Sequence, residues 1–329
     1  MTPARRAAGA CTLVLAAATA ACAGAPSYLR PAGAPADGEA RLGWWLLASA
    51  GAVVVAVTAL LVAGLLRRRR GEAPGDPVRW IHAGAGFSIV VLLAVFAGLV
   101  AGLAYASRMP GRPAAVVEVT GHQWWWELRY LGTPAEDVFI TANEVHVPVG
   151  RPVRFRVTSM DVIHSFWVPE LGGKIDMIPG RTNETWLRAD RPGVYRGQCG
   201  EFCGRQHARM DFVVVAQSPA AFAAWRAEQR RAGRAPAGAE ARAGRQIFEQ
   251  RCGACHAVRG TEGLGLVGPD LTHVGSRLTL AAGTIPNTPA DMDRWIADPQ
   301  RVKPGTLMPV VGLTPRERRA VVAYLQQLR

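Results

Sequence analysis

The sequence predicts a three-part chain: a hairpin of two long apolar helices, an all-β domain, and a smaller all-α domain at the C-terminus. Three observations carry this. Two long runs without charge occupy the first third of the 329 residues. Between residues 112 and 216, short apolar stretches alternate with Pro- and Gly-bearing turns. From residue 240 onward the pattern becomes helical, with segments 244–250 and 315–328 reading as terminal helices around a C-x-x-C-H motif. A chain of this length has room for two or three domains.

Residues 1–22 read as an export signal. Arg5 and Arg6 form the basic n-region, residues 11–21 the alanine-rich apolar core, and the run ends Thr-Ala-Ala-Cys. Cys22 offers a lipidation site, with ordinary cleavage after a small residue as the alternative; Cys11 leaves with the signal. Residues 23–41 form a Pro/Gly/Ala-rich linker, and the hairpin occupies 42–108. Its spans, 44–66 and 80–105, are each long enough to cross a bilayer. The connecting loop holds Arg67, Arg68, Arg69, Arg70 and Arg79 against Glu72 and Asp76. By the positive-inside rule this loop faces the cytoplasm, so everything after the hairpin lies outside the cell membrane. Trp44, Trp45, Trp80 and Tyr105 fall where interfacial aromatics belong, and His82 sits at the same interface. The net charge of +13 comes from arginines that are scattered or flank apolar runs. With no nucleic-acid motif present, that charge reads as membrane orientation and solvated surface, and nucleic acid is excluded as a partner.

In the β-domain, segments 116–121, 138–150, 151–159, 182–190, 193–200 and 210–216 read as strands of a sandwich or barrel. Near its end Cys199, Cys203, His207 and Met210 follow one another as C-x3-C-x3-H-x2-M, and His164 stands upstream in DVIHSFWVPE. A mononuclear blue-copper site takes one Cys, two His and a weak axial Met. The second Cys therefore points to two copper ions sharing two thiolates. A Cys199–Cys203 disulfide beside a loop histidine is the alternative. A soft, closed donor set leaves no open position for substrate, which suits electron transfer rather than turnover.

Residues 217–239 form a linker with a short basic helix, and 240–329 the last domain. There Cys252, Cys255 and His256 spell the c-type haem attachment motif, two cysteines for the thioether bonds and one axial imidazole. A redox dithiol or half a zinc site would need a βαβ setting or a second Cys pair, and neither is present. Gly263, Gly265 and Gly268 spell G-x-G-x-x-G, but after a haem motif and before Pro269 the pattern is a loop, not a dinucleotide site.

HSFWVPELGGKIDMIPG and YRGQCGEFCGRQHARM, preceded by GHQWWWEL, resemble subunit II of cytochrome c oxidase over about residues 40–215. The C-terminal motif resembles a class I cytochrome c, so the whole is similar to the bacterial caa3-type subunit II. The resemblance implies a cupredoxin-like Greek-key barrel carrying the dinuclear copper centre CuA, then an all-α class I cytochrome c domain. It implies Cys199 and Cys203 as bridging thiolates, His164 and His207 as one cap each, and Met210 and the Glu201 carbonyl as weak ligands. The Glu201 side chain would reach a magnesium or manganese ion at the boundary with subunit I. Trp124 would be where electrons enter from cytochrome c. Met308, in GTLMPV, would be the distal haem ligand, with Met292 and His273 as alternatives, and the Pro269 carbonyl would orient His256. A Met/His pair raises the haem potential, as suits an oxidase donor. The family's carboxylate near the start of the second helix has no counterpart, since Glu72 and Asp76 lie outside the span. His122 carries no assigned role, and His146 reads as a solvent-facing strand residue. The implied partners are subunits I and III, a soluble cytochrome c or another respiratory donor, and the bilayer; oxygen reduction lies in subunit I. Two rivals are the copper subunit of a related nitric-oxide reductase and a copper-delivery protein without redox coupling. The haem motif and the hairpin argue against the second.

Overall fold

The computed structural model describes residues 27–70, 77–132 and 137–329. The export signal with Arg5, Arg6, Cys11 and Cys22, and the loop acids Glu72 and Asp76, lie outside the described residues. Two helices lead, α1 (Ala34–Arg69) and α2 (Pro77–Ala106), packed as a hairpin. Their apolar stretches are exposed along their length, as are Trp44, Trp45 and Trp80. Both helices are long and apolar enough to cross a membrane. At 1.5 Å per residue α1 is about 54 Å long, well beyond the hydrocarbon thickness of about 30 Å.

The excess length of α1 corrects the expected linker, because the helix already starts at Ala34. Pro35 occupies the first turn, where its missing N–H is no loss. Small side chains let that turn lie against the β-domain. A Cβ on Gly172 or Gly173 would meet Pro35 or Glu39. Just ahead of the helix, the Ala32 N–H donates to the Glu170 carbonyl (2.7 Å), and the Asp190 N–H donates to the Ala32 carbonyl (2.8 Å). One helix thus runs from the membrane segment onto the copper-ligand domain.

The β-domain is a two-sheet, cupredoxin-like sandwich. One sheet contains β1 (Ala115–His122), β2 (Trp125–Leu131), β3 (Phe139–Ala142), β5 (Val153–Ser159) and β8 (Asn183–Leu187), in the order β3-β2-β1-β5-β8. The other contains β4 (Glu144–Pro148), β6 (His164–Trp167), β7 (Ile175–Met177), β9 (Gly193–Cys199) and β10 (Asp211–Gln217), in the order β4-β10-β9-β6-β7. Pairs β1·β5 and β4·β10 are parallel and the rest antiparallel. Alternation explains the layering: in β1 and β5 every second residue is buried. The outward Arg154 and Arg156 of β5 pair with Glu184 of β8, at 3.7 and 3.0 Å. The core is aromatic, with Phe212 stacked on Phe166 (4.7 Å between centroids) and met by Trp126 (5.1 Å).

The stretch 138–150, expected as one strand, is two strands in different sheets. Asn143 divides them with a φ of 61°, a left-handed conformation that asparagine tolerates, and its side-chain oxygen accepts from the Trp126 N–H at 2.8 Å. Strands β2, β6 and β7 were not expected; their aromatic and ligand-bearing sequences hide the alternation. A second correction concerns His146. It is not solvent-facing but buried at 8 % exposure, bonded to Glu144 (3.0 Å) and stacked on Trp225 (4.1 Å). The reason is α3 (Pro219–Gln229), which starts at the Ser218 cap and brings Trp225 over β4.

The last domain is helical: α4 (Ala239–Arg251), α5 (Pro289–Ala297), α6 (Pro299–Val302) and α7 (Pro315–Leu325), with a small ribbon of β11 (Thr279–Leu280) and β12 (Ile285–Pro286). The capping box of Thr314 and Glu317 starts α7. Helices α4 and α7 cross as expected, and Gly244 is the reason they can. A Cβ there would stand 1.9 Å from the Ala320 carbonyl oxygen, while Phe248 and Tyr324 pack just beyond. Gly244→Ala should force the helices apart and destabilise this domain by about 1–3 kcal/mol. A lower midpoint for its thermal transition, with the β-domain transition unmoved, is the expected outcome.

Candidate metal centre and haem cleft

The donors named from sequence come from three places in one sheet. His164 opens β6, Cys199 closes β9, and Met210 directly precedes β10. The loop between β9 and β10 is closed at its base by the Cys199 N–H donating to the Met210 carbonyl (3.0 Å) and held to β6 by Gly200 N–H to Ser165 carbonyl (2.9 Å). A short 3-10 turn, His207–Arg209, returns the chain. The four cysteines Cys199, Cys203, Cys252 and Cys255 are all free in this structure.

The two sulfurs lie 3.7 Å apart and both are buried. Around Cys199 Sγ stand His164 Nδ1 at 3.9 Å and the Glu201 carbonyl at 3.1 Å. Around Cys203 Sγ stand His207 Nδ1 and Met210 Sδ, each at 3.7 Å. Ligand atoms of His164, Cys199 and Cys203 fall within 4.8 Å of one another. The set is near-symmetric: two central sulfurs, one imidazole at each end, and one weak donor on each side. The Cys203 thiol and then the His164 ring hold Cys199 far below the usual thiol pKa, despite burial. The neighbouring Cys199 sulfur, and burial, push Cys203 the other way. Two thiolates this close need positive charge between them, which copper ions held by this donor set would supply.

Asp161, three residues before His164, was missed from sequence. Its Oδ1 lies 2.8 Å from His164 Nε2, leaving Nδ1 for the sulfur side. The carboxylate also accepts from the Val162 N–H (2.7 Å) and the Gln123 N–H (2.7 Å). Burial works against its charge, but His164 and these N–H groups hold its pKa below the ordinary value. His164 is fully buried, and Gly121 makes room for it: a Cβ there would be 2.7 Å from the ring. An acid three residues from a histidine is too common a pattern to be read as a partner before the loop is seen.

Opposite the copper loop opens an apolar cleft in the helical domain. Cys252, Cys255, His256, Trp295 and Met308 line it, together with Trp124 and Asn143 of the β-domain. His256 Nδ1 donates to the Pro269 carbonyl at 2.9 Å, which fixes the ring and leaves Nε2 facing the cleft. Burial lowers its pKa, favouring the neutral imidazole that a metal requires. Gly268 keeps this space open, since a Cβ would stand 2.5 Å from His256 Cε1. Gly265 packs on the backbone of Ala254 and Cys255, so the glycine-rich loop serves the haem motif. Met292 also borders the cleft but is 2 % exposed in the domain core. His273 is buried with its Nε2 3.2 Å from the Arg231 carbonyl. Arg277, unnoticed in the sequence, lines the cleft with a buried Nε that has no hydrogen-bond partner among the described residues. An attachment motif, a fixed imidazole and a buried guanidinium with one unpaired Nε, its other end held by the Asp270 carbonyl and Thr141, fit a haem with its acidic substituents.

Trp124 belongs to both sites. Its indole N–H donates to the Cys203 carbonyl at 2.9 Å, while the residue borders the haem cleft at 9 % exposure. His122 stacks on Trp125 (4.3 Å between centroids) and contributes no ligand atom to the copper cluster.

Fold and site together define a membrane-anchored redox protein with a copper domain and a cytochrome c domain. The family "Cytochrome C oxidase subunit II, periplasmic domain" matches residues 131–217, and the family "Cytochrome c" matches residues 241–329. Cytochrome c oxidase subunit 2 of Alkalihalophilus pseudofirmus is 36% identical over 279 residues, covering 80% of each chain. The protein of the same name from Bacillus sp. strain PS3 is 34% identical over 227 residues, 65% of this chain and 62% of its own. The periplasmic domain of subunit II of cytochrome oxidase from Bradyrhizobium japonicum, a crystal structure, is 36% identical, covers 37% of this chain and 97% of its own, and superposes with a TM-score of 0.35. The chain belongs to the cytochrome c oxidase subunit II family and carries a cytochrome c domain behind the copper domain. It is therefore a subunit of a haem-copper oxidase; a subunit II domain implies CuA, and a cytochrome c domain implies haem c.

Removing the carboxylate behind His164 tests the local geometry. Asp161→Asn should weaken copper binding about 10–100-fold. Competition against a chelator of known affinity measures it, with the haem domain's absorption unchanged.

Proposed function

We propose that the chain is the electron-input subunit of a bacterial caa3-type oxidase, passing electrons from a cytochrome c or other respiratory donor through haem c and CuA to the oxygen-reducing centre of subunit I. Bound haem c and CuA supply reversible one-electron exchange. The residues of this chain would position them: Cys252 and Cys255 would attach the haem, His256 and Met308 would ligate it, and Arg277 would pair with an acidic substituent. Cys199, Cys203, His164 and His207 would hold the coppers, with Met210 and the Glu201 carbonyl as weak donors. The Glu201 carboxylate is this chain's contribution to a magnesium or manganese ion completed by subunit I, and subunit III joins the same complex. Residues 42–108 anchor it in the cell membrane, with α1 reaching back to Ala34. Residues 112–216 form the copper domain and 240–329 the haem domain, both outside that membrane. Cys22 is the lipidation site of the processed chain.

One observation carries this reading: Trp124 spans the two sites. In a subunit II without the fusion, electrons would reach this tryptophan from an external protein. Here the haem domain covers it, so the external donor meets the haem domain and Trp124 becomes an internal bridge.

Two measurements test the reading. In the purified complex Trp124→Leu should slow reduction of copper by haem c by about tenfold or more, with both absorption spectra retained. Consumption assays should show oxygen, not nitric oxide, as the acceptor, and copper chelation should abolish oxygen uptake while haem c still reduces. Faster nitric-oxide than oxygen consumption would assign the chain to a nitric-oxide reductase instead.

A further inference from the structure

The copper and haem domains meet along a polar seam with one anomaly in it. Segment 281–284 and segment 302–305 of the haem domain grip the copper loop. The Asp211 N–H donates to the Ala282 carbonyl (3.0 Å), and Arg209 donates to the Val302 carbonyl (2.7 Å). Gln206 donates to the Pro304 carbonyl. Ala281 and Ala282 take left-handed φ values of 52° and 55°, and a Cβ on Gly283 would stand 2.6 Å from that of Asp211. Within this seam Lys303 is 2 % exposed. Lysine is almost never this buried unless paired with an acid. Here its Nζ donates to two backbone carbonyls, Ala281 of its own domain (3.1 Å) and Trp124 of the copper domain (2.8 Å). The nearby Asp211 is already committed to Arg196 at 2.6 Å. Burial drives the Lys303 pKa down to about 7, with Asp211 and Cys203 opposing the shift.

A lysine so placed contributes little to the folding of either domain alone. Its cationic end completes its hydrogen bonds only when the domains are docked, and the carbonyl it selects is that of the tryptophan touching both sites. A lysine lacking its docked partner would sit at a surface in water, so the contact discriminates between docked and undocked arrangements. We propose that Lys303 is a positioning residue, a latch that holds the haem domain in electron-transfer register on the copper domain through the Trp124 carbonyl. This rests on the haem-to-copper route proposed above.

The test uses the purified, fully loaded complex and the variants Lys303→Met, which keeps the length without the donor, and Lys303→Gln, which keeps a shorter donor. Pulsed electron paramagnetic resonance reads the distribution of distances between the copper centre and haem c, and flash-initiated reduction reads the transfer rate. A single narrow distribution is expected for the unaltered chain. Lys303→Met should broaden it and slow transfer about tenfold or more, with unchanged copper and haem spectra. Lys303→Gln should fall between, and it decides the matter if Lys303→Met fails to assemble. Distributions as narrow as the unaltered chain's in the variants would overturn the proposal, whether or not the rate falls. If the unaltered chain transfers no electron from haem c to copper, the route fails, while the distance distributions still judge the latch.

Discussion

Two buried sulfur atoms 3.7 Å apart set the terms for the copper domain. Neither burial nor a shared proton satisfies two thiolates, so the pair calls for cations, and the surrounding structure is arranged to receive them. The Cys199 and Cys203 loop is closed at its base by the β9·β10 ladder and fastened to β6. His164 is locked from behind by Asp161, and that carboxylate also holds the Gln123 N–H beside Trp124. The ligand cluster, its supporting acid and the bridging tryptophan are therefore one hydrogen-bonded unit. Rigidity of this kind suits an electron relay, because each change of charge then moves few atoms.

The same loop forms the surface on which the haem domain rests. Its outer side is engaged by Ala282, Val302 and Pro304, so the fused domain occupies the face that leads to the cysteines. A second band of contacts lies further along the sandwich. There the Leu278 N–H donates to Glu144 (2.7 Å), and Arg277 reaches Thr141. Glu144 and His146 are buried because this domain and α3 cover a face that an isolated sandwich would expose.

Much of this was legible before any coordinates. Charge-free length located the hairpin, alternation located β1 and β5, and the spacing of soft donors located the copper loop. What escaped reading depended on tertiary partners. Asn143 looks like any strand residue until its φ of 61° turns the chain from one sheet to the other. His146 has the alternation of an outward residue and is buried where Trp225, 79 positions later, returns to stack on it. Asp161, Arg277 and Lys303 are ordinary charged residues in sequence. Their roles come from the partners the fold brings to them and, for Arg277 and Lys303, from burial. The start of α1 was missed for a related reason, since Pro and Ala read as linker until the surface they pack against is known.

The tether between the domains has a kinetic meaning. Helix α3 is seated on the sandwich through Trp225, so only a short segment from Arg230 to Gly238 separates the docked helix from α4. A carrier held on so short a leash experiences an effective concentration of its acceptor in about the millimolar range. On the proposed route, the haem-to-copper step would then be first-order, independent of how dilute the carrier pool is. It also escapes the ionic-strength dependence that screens encounters between free charged proteins. Sensitivity to salt and to supply is thereby moved one station outward, to the exposed rim of the haem cleft.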